Sequence, residues 1–292
     1  MPRQRCRHSS KYLRNMGESP PNNFDPVVAE FYHRTPEETR LQQGAFQLEE
    51  ARTRELILRF APPPPATVLD VGGAAGAYAL WLAGAGYTVH LVDAVPRLVA
   101  EAERRSRLAK RQLASCRVGD ARALDTPEKS ADMVLLLGPL YHLTDAADRA
   151  RALQQASRVL KPGGWLFAAA ISRYASALDG LARDLLEDPR FERIVQRDLR
   201  DGQHRNPTDR LDYFTTAYFH RPDDLANEIE GTGLTLKGVY GIEGPGWILP
   251  DIAERMANRQ RREALLRVAQ MLETESAVVG TSAHLLAVAR RP

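Results

Sequence analysis

Apolar residues between positions 66 and 171 occur in short continuous runs that alternate with segments of helical periodicity. Runs of this length, rich in Val and Leu, are typical of strands buried on both faces of a sheet. The predicted strands are 67–71, 88–92, 115–118, 132–137 and 165–170, and the predicted helices between them are 75–82, 96–112 and 148–160. Because strands that alternate with helices through short connections form a parallel sheet covered on both faces, the pattern predicts an α/β core.

Further helical segments flank this core. Thr35, Pro36 and Glu38 form an N-terminal capping pattern, which predicts one helix from Thr35 to the prolines at 62–65. After the core, the pattern predicts a helical insert, a capped helix, and two late strands separated by another helical segment. The predicted organisation is a disordered basic leader (1–23) and a single domain (24–292) with a helical cap (24–61), a core (66–171), a lid insert (172–218) and closing helices and strands (219–292).

Charge and cysteine content narrow the possible partners. Five of the 40 basic residues lie within the first 14 positions, ahead of any acid, so the rest of the chain carries slightly more acidic than basic side chains. That balance argues against nucleic-acid binding, and the leader is either a solvated tail or a contact for an anionic partner. With two cysteines, no apolar run of about 18 residues and no apolar segment of a secretion signal, the sequence predicts no disulfide framework, no membrane span and a cytoplasmic location.

The stretch ATVLDVGGAAGAYALWLAGAGYTVHLVDA (66–94) carries the strongest chemical signal. A strand runs into a glycine turn and a helix, and a second strand ends in an acid. Glycine lets the backbone approach a ligand closely, and a helix N-terminus directs N–H groups towards it. The nicotinamide pattern G-x-G-x-x-G fits in neither register. The pattern acid-x-G-x-x-x-G fits Asp70, Gly72 and Gly76, and Asp93 follows where a carboxylate can accept ribose hydroxyls.

This stretch resembles motif I of the class I S-adenosylmethionine-dependent methyltransferases, D/E-x-G-x-G-x-G, with Ala74 in place of the middle glycine. Four further segments resemble the later motifs of that family in the same order. They are VDAV (92–95), VGDARAL (118–124), ADMVLLLGPLYHL (131–143) and VLKPGGWLFAAA (159–170). The resemblance covers residues 66–171. It implies a Rossmann-like, seven-stranded, mostly parallel sheet with helices on both faces, a helical N-terminal cap and a helical lid insert.

The resemblance also implies a site for S-adenosylmethionine. Asp93 would take the ribose, Asp120 and the backbone of Ala121 the adenine, and the carbonyls of Leu137 and Gly138 the methionine amino group. The full implied set in the core is Asp70, Gly72, Gly73, Ala74, Gly76, Asp93, Ala94, Asp120, Ala121, Leu137 and Gly138. Asp93 and Asp120 have an alternative role as caps of a strand end or loop, and Asp70 either contacts the ligand or supports the turn.

Outside the core, Arg52 on the N-terminal helix suits the cofactor carboxylate, although an ion pair with Glu49 is an equal interpretation. Tyr141 and His142 lie nearest the expected methyl position. His142 is interpreted either as a general base or as a structural histidine that packs the loop on the sheet. The candidate residues for substrate binding, for which core packing is the alternative, are Tyr32, His204, Tyr213 and Tyr218.

The sequence GPLY at 138–141 lacks the first side chain of the [D/N/S]-P-P-[Y/F/W] signature of nucleobase amine methylation. Together with the near-neutral body of the chain, this favours a small-molecule methyl acceptor. No histidine has the spacing of a metal site. The predicted function is therefore S-adenosylmethionine-dependent methylation of a small metabolite, with release of S-adenosylhomocysteine. The alternatives are RNA methylation guided by the basic leader, and a catalytically silent, cofactor-binding regulatory protein on the same fold.

Overall fold

A computed structural model describes residues 25–292, and the leader predicted at 1–23 lies outside this range. Nine strands form one sheet within the described residues. They are β1 (Thr67–Val71), β2 (Thr88–Asp93), β3 (Ser115–Val118), β4 (Ala131–Leu136), β5 (Leu160–Ser172), β6 (Gln203–His204), β7 (Ala217–His220), β8 (Thr235–Gly241) and β9 (His284–Arg290).

Eleven α-helices and five short 3-10 segments complete the described chain. The helices are α1 (Pro26–Arg34), α2 (Phe46–Phe60), α3 (Ala77–Ala85), α4 (Pro96–Leu108), α5 (Pro139–His142), α6 (Ala146–Val159), α7 (Ala175–Ala182), α8 (Pro189–Asp201), α9 (Pro222–Glu230), α10 (Ile252–Ala257) and α11 (Arg259–Leu272). The 3-10 segments are Glu37–Gln42, Leu185–Glu187, Leu211–Tyr213, Gly244–Ile248 and Val279–Thr281. Among these described helices, none is both long and apolar enough to cross a lipid bilayer.

The sheet has a parallel half and an antiparallel closing pair. Strands β1 to β5 are parallel in the order β3-β2-β1-β4-β5, and β9 runs antiparallel between β5 and β8. This architecture confirms the predicted α/β class. The strand count is nine instead of seven because the insert contributes β6 and β7, which extend the end of β5. The strand order reverses between β1 and β4, and the carboxyl ends of strands at such a point border a crevice.

The core lies on both faces of the sheet. In β4, Met133 and Leu135 pack beneath α2, α3 and α4, whereas Val134 and Leu136 pack against α6 and α9. All four side chains are essentially inaccessible to solvent. Because successive side chains of a strand point to opposite faces, a strand buried on both sides requires a continuous apolar run, which is the pattern that the sequence shows here.

The N-terminal cap differs from the single predicted helix. Thr35 follows the end of α1, where its hydroxyl donates to the carbonyl of Phe31 (2.9 Å), so it does not begin a helix. A 3-10 segment follows, and then Gly44 adopts a left-handed φ of +50° before α2 begins at Phe46. Because a left-handed residue cannot continue a right-handed helix, the chain bends at this glycine. The prediction of one continuous helix over this segment is therefore wrong.

Two glycines that follow helices in the second half of the chain share a left-handed conformation but differ in their surroundings. Gly202 ends α8 with a φ of +77°, and a Cβ there would lie 2.5 Å from the carbonyl oxygen of Phe219. Gly233, after α9, has a φ of +78° with nothing within 4 Å of the Cβ position. Gly202 therefore meets two constraints, left-handed backbone and close contact, whereas Gly233 meets only the first.

We expect Gly233→Ala to lower the free energy of unfolding by about 1 kcal/mol, the usual cost of a left-handed alanine. Gly202→Ala adds a steric clash with backbone and should cost about 3 kcal/mol or more. Urea denaturation of the two variants and the wild type measures both losses, provided that the m values agree. Equal losses in the two variants would contradict the close packing of the end of α8 against β7.

Candidate functional site

A cavity of about 890 Å³ opens at the carboxyl ends of β1 and β4, where the strand order reverses. Its floor is the turn after β1, with the ends of β2 and β4 beside it. Its opposite wall comes from α1, the 3-10 segment Glu37–Gln42 and α2, and His284 at the start of β9 also contributes. The bend at Gly44 therefore has a consequence for the site, because it lays the 3-10 segment along the cavity.

The turn after β1 has no room for side chains at two of its residues, so its backbone borders the cavity directly. Gly72 has a φ of +74°, and a Cβ on it would lie 2.5 Å from Cδ of Pro139. A Cβ on Gly73 would lie 2.8 Å from Oδ2 of Asp70. Ala74 accepts a left-handed φ of +45°, although it carries a methyl group. Gly76 caps α3 with a φ of +83° and turns the chain into that helix, but it does not line the cavity.

The carboxylate of Asp93 connects two turns. Its Oδ2 accepts the N–H of Ala74 and its Oδ1 accepts the N–H of Val95, both at 2.8 Å. Burial raises the pKa of Asp93, and these two N–H groups act in the opposite direction. Each oxygen keeps a second lone pair, so the side chain can serve as a cap and still accept hydroxyl groups from a ligand in the cavity.

Asp70 is buried at the cavity floor, and within the described chain neither of its oxygens has a hydrogen-bond partner. Burial, with the nearby charge of Asp93 as a second cause, raises the pKa of Asp70 to about 7, against a smaller opposite effect of the backbone N–H of Ala79. Buried polar atoms without partners are costly and rare, so an orphaned carboxyl that borders a cavity indicates a place for a ligand's donor groups.

Asp120 meets the cavity in a different way. Its carboxylate accepts from Nε of Arg122 (3.0 Å), and Arg122 also pairs with Asp148 (2.6 Å). Burial raises the pKa of Asp120, but the Arg122 guanidinium outweighs it and the net shift is downward. The cavity is lined by most of the predicted cofactor residues, namely Asp70, Gly72, Gly73, Ala74, Asp93, Ala94, Asp120, Ala121, Leu137 and Gly138.

The prediction that Arg52 binds a cofactor is corrected by its position. Its guanidinium is buried away from the cavity, donates to the carbonyl of Ile242 (3.2 Å) and pairs with Glu55 and Glu273. The alternative pair of Arg52 with Glu49 does not form either, because both oxygens of Glu49 accept from Arg40.

Arg40 is one of the arginines that line the cavity, and the sequence interpretation missed it. Its Nη1 and Nη2 donate to the two oxygens of Glu49 (2.7 and 3.2 Å), and its Nε donates to Glu37 (3.0 Å). The bend before α2 brings Arg40 to the cavity.

Tyr32, Tyr141 and His142 line the cavity together. Nε2 of His142 lies 2.8 Å from the hydroxyl of Tyr32, and its Nδ1 lies 3.3 Å from the carbonyl oxygen of Thr216. Burial lowers the pKa of His142 to about 4, so the ring is neutral, with Nδ1–H as donor and Nε2 as acceptor. Both ring nitrogens are therefore occupied, which supports the structural interpretation of His142 as a link between α1 and α5.

His204, Tyr213 and Tyr218 do not line the cavity, which corrects their assignment to substrate binding. The ring nitrogens of His204 contact Asp198 (2.8 Å) and the carbonyl of Tyr213 (2.9 Å), so this buried side chain is internally satisfied. The ring of Tyr213 packs on Phe191 of α8, and that of Tyr218 lies 3.7 Å from the guanidinium carbon of Arg149. The aromatic residues of the insert form core packing, which was the alternative interpretation.

A second set of groups was not predicted. Nδ1 of His284 lies 2.6 Å from Oε1 of Glu243 and 3.9 Å from Oε2 of Glu49. Burial lowers the pKa of His284, but the two carboxylates outweigh it and the net shift is upward. These residues are far apart in the sequence and belong to no motif, so only the fold reveals that they meet.

Comparison with known proteins places this geometry in a family. The family model described as a methyltransferase domain matches residues 69–168. Over 162 residues the chain is 31% identical to nodulation protein S of Sinorhizobium fredii, an alignment that covers 56% of this chain and 69% of that protein. Over 125 residues it is 34% identical to the ubiquinone/menaquinone biosynthesis C-methyltransferase of Acidiphilium cryptum, which covers 41% of this chain and 48% of that protein. The chain thus spans about half the length of this second relative.

The fold agrees with solved structures. An S-adenosylmethionine-dependent methyltransferase from Mesorhizobium loti superposes with a TM-score of 0.55 over 84% of this chain and 100% of that chain, at 20% sequence identity. The region matched by the family model contains the glycine turn, Asp93 and Asp120, which border the cavity. The chain belongs to the class I S-adenosylmethionine-dependent methyltransferases.

Proposed function

We propose that this protein transfers a methyl group from S-adenosylmethionine to a small-molecule acceptor and releases S-adenosylhomocysteine. The observation that carries the proposal is the buried, unpartnered carboxyl of Asp70 beside a turn in which Gly72 and Gly73 leave no room for side chains. The ammonium group of an amino acid would supply hydrogen-bond donors to this carboxyl and a positive charge beside it. The residues present therefore fit the cofactor.

The remaining groups would hold the other parts of the cofactor. Asp93, fixed by two backbone N–H groups, would accept the ribose hydroxyls, and the backbone at Gly72 and Gly73 would lie against the ligand. Asp120 and Ala121 border the part of the cavity expected for adenine. The cofactor supplies a methyl group on a positively charged sulfur, so transfer is a direct displacement. The protein contributes mainly by alignment of the two reactants.

Two features support a small acceptor. The cavity has a volume of about 890 Å³, within the range of small-ligand sites. The N-terminal wall of the cavity is held in place by two hydrogen bonds of Tyr32. Its hydroxyl bonds His142, and its carbonyl accepts from Arg97 (2.7 Å). A covered cavity of this size suits a metabolite better than a folded RNA. The relative named for ubiquinone/menaquinone biosynthesis agrees with this class of acceptor.

Replacing Asp93 tests the cofactor site. We expect Asp93→Ala to weaken binding of S-adenosylhomocysteine about 100-fold, the loss of roughly 3 kcal/mol that corresponds to hydrogen bonds with a charged acceptor. Isothermal titration calorimetry with wild type and variant gives the dissociation constants. The matched control is Asp132→Ala, because Asp132 also binds a backbone N–H (Thr67, 2.8 Å) but lies at the opposite end of the strands. Equal affinities of wild type and Asp93→Ala would contradict the assignment.

The pKa of Asp70 predicts a pH dependence. With a pKa of about 7, the Asp70 carboxyl is mostly neutral at pH 6 and mostly ionised at pH 8. Because the ligand's amino group is cationic, affinity of the wild type for S-adenosylhomocysteine should rise about tenfold between these values, a coupling of about 1.4 kcal/mol. Asp70→Asn should match the wild type at pH 6 and lack the rise. Calorimetric titrations at pH 6, 7 and 8 measure this, and parallel curves would refute the role of Asp70.

A further inference from the structure

His284 and Glu243 form a hydrogen-bonded pair at the cavity wall. Glu243 is buried behind the wall, and its Oε1 accepts from Nδ1 of His284 at 2.6 Å. Its Oε2 accepts from the hydroxyl of Ser282 (2.6 Å) and from the backbone N–H of His284 (3.0 Å). The carboxylate is thus fixed in place, and it fixes both the orientation and the tautomer of the imidazole.

The imidazole ring of His284, unlike the carboxylate behind it, reaches the cavity. His284 lines the cavity and its side chain is 18% exposed, whereas Glu243 does not line it. Within residues 25–292, Nε2 of His284 has no hydrogen-bond partner, while Nδ1 is held by Glu243. In the tautomer that Glu243 selects, Nε2 carries a lone pair and is a proton acceptor.

This arrangement is the opposite of that at His142. The Nε2 of His142 is occupied by Tyr32, and burial makes its ring a poor base with a pKa of about 4. The charged groups that face His284 are Glu243 from the segment after β8, Glu49 from α2 and Arg40 from the 3-10 segment. The two carboxylates outweigh burial and Arg40, and raise the pKa of His284.

A metal ion is a weaker explanation of the same cluster. Glu49, Glu243 and His284 lie close enough to share an ion. However, both oxygens of Glu49 are bound by Arg40, and both oxygens of Glu243 are bound by Ser282 or His284. A cation would have to displace the Arg40 guanidinium and the ring proton. The existing hydrogen bonds therefore favour proton chemistry.

We propose that His284 is the proton acceptor of this site and that the methyl acceptor reacts through an oxygen or nitrogen atom that bears a dissociable proton. The proposal rests on the proposed function. In the reaction, the acceptor's O–H or N–H proton passes to Nε2 of His284, and the heteroatom forms a bond to the methyl carbon. The carbon–sulfur bond of the sulfonium donor breaks, and its electron pair stays on sulfur. The imidazolium, stabilised by Glu243 and Glu49, then returns the proton to water.

The first experiment measures the base itself, without turnover. Diethyl pyrocarbonate modifies neutral imidazole nitrogens, and mass spectrometry of peptides locates the modified histidines. In the wild type, His284 should react faster than His142, with an apparent pKa above the ordinary histidine value. In Glu243→Gln that pKa should fall, because the charge that raises it is removed. An unreactive His284, or a pKa that Glu243→Gln leaves unchanged, would overturn the proposal.

The second experiment measures methyl transfer. Radiolabelled S-adenosylmethionine is incubated with a protein-free extract of bacterial metabolites as the acceptor pool, between pH 5.5 and 9. The variants are His284→Gln, Glu243→Gln and the control His90→Gln, a histidine on β2 that does not line the cavity. We expect His284→Gln to bind S-adenosylhomocysteine within twofold of the wild type but to transfer label about 100-fold more slowly, a typical loss for a general base. Glu243→Gln should shift the rising limb of the pH profile to lower pH.

The outcomes separate the two proposals. Wild-type protein that binds S-adenosylhomocysteine but labels no metabolite would contradict the proposed function. Label transfer that is equal in wild type and His284→Gln would overturn only the role of His284. Transfer abolished by EDTA and restored by a divalent cation would also overturn it, and would assign the cluster to a metal. If His90→Gln transfers label as fast as the wild type, the slower transfer in His284→Gln cannot be a general effect of replacing a histidine.

Discussion

The carboxylate of Asp93 holds the site together. By accepting one N–H from Ala74 and one from Val95, it fixes the turn after β1 against the turn after β2. It also keeps Ala74 in a left-handed conformation that an alanine does not adopt unaided. The position of the loop after β1 also determines where Pro139 lies, because Pro139 packs directly on Gly72. One buried acid thus sets the relation between the ends of three strands.

Pro139 begins α5, the short helix that presents Tyr141 and His142 to the cavity. From His142 the chain of contacts continues to Tyr32 on α1. The N-terminal wall is therefore positioned by the same turn as the floor, although α1 and β1 are separated by more than thirty residues. A rigid scaffold of this kind suits a reaction in which the protein's main contribution is alignment.

The features that the sequence predicted correctly are those set by local patterns. The strands of the core follow from continuous apolar runs. The turn after β1 follows from its glycines, of which Gly72 has no room for a side chain. The prediction of one N-terminal helix failed because the chain bends at Gly44. A glycine within a helical pattern does not reveal by itself whether it continues or breaks the helix.

Other features depend on contacts between distant segments. Glu243 follows β8 and His284 begins β9, and the antiparallel pairing of these strands brings the two residues together. Glu49 reaches them from α2, so the cluster depends on the packing of a helix against the sheet. The aromatic residues of the insert present the reverse case. Composition made Tyr213 and Tyr218 look like a binding surface, but α8 and two arginines cover them. Sequence composition does not distinguish a pocket from a packed core.

The unpartnered carboxyl of Asp70 links the concentration of the ligand to the stability of the folded protein. Its pKa of about 7 lies above the ordinary aspartate value of 3.8, so the folded state holds the carboxyl proton more tightly than the unfolded chain does. Stability present in acid is therefore lost as the pH rises towards 7, and the empty protein is weakened at neutral pH. A ligand that brings a positive group to Asp70 removes this weakness and adds its own binding free energy to the folded state. In a cell, the abundance of the protein would then follow the concentration of its ligand, since proteases act on the unfolded fraction.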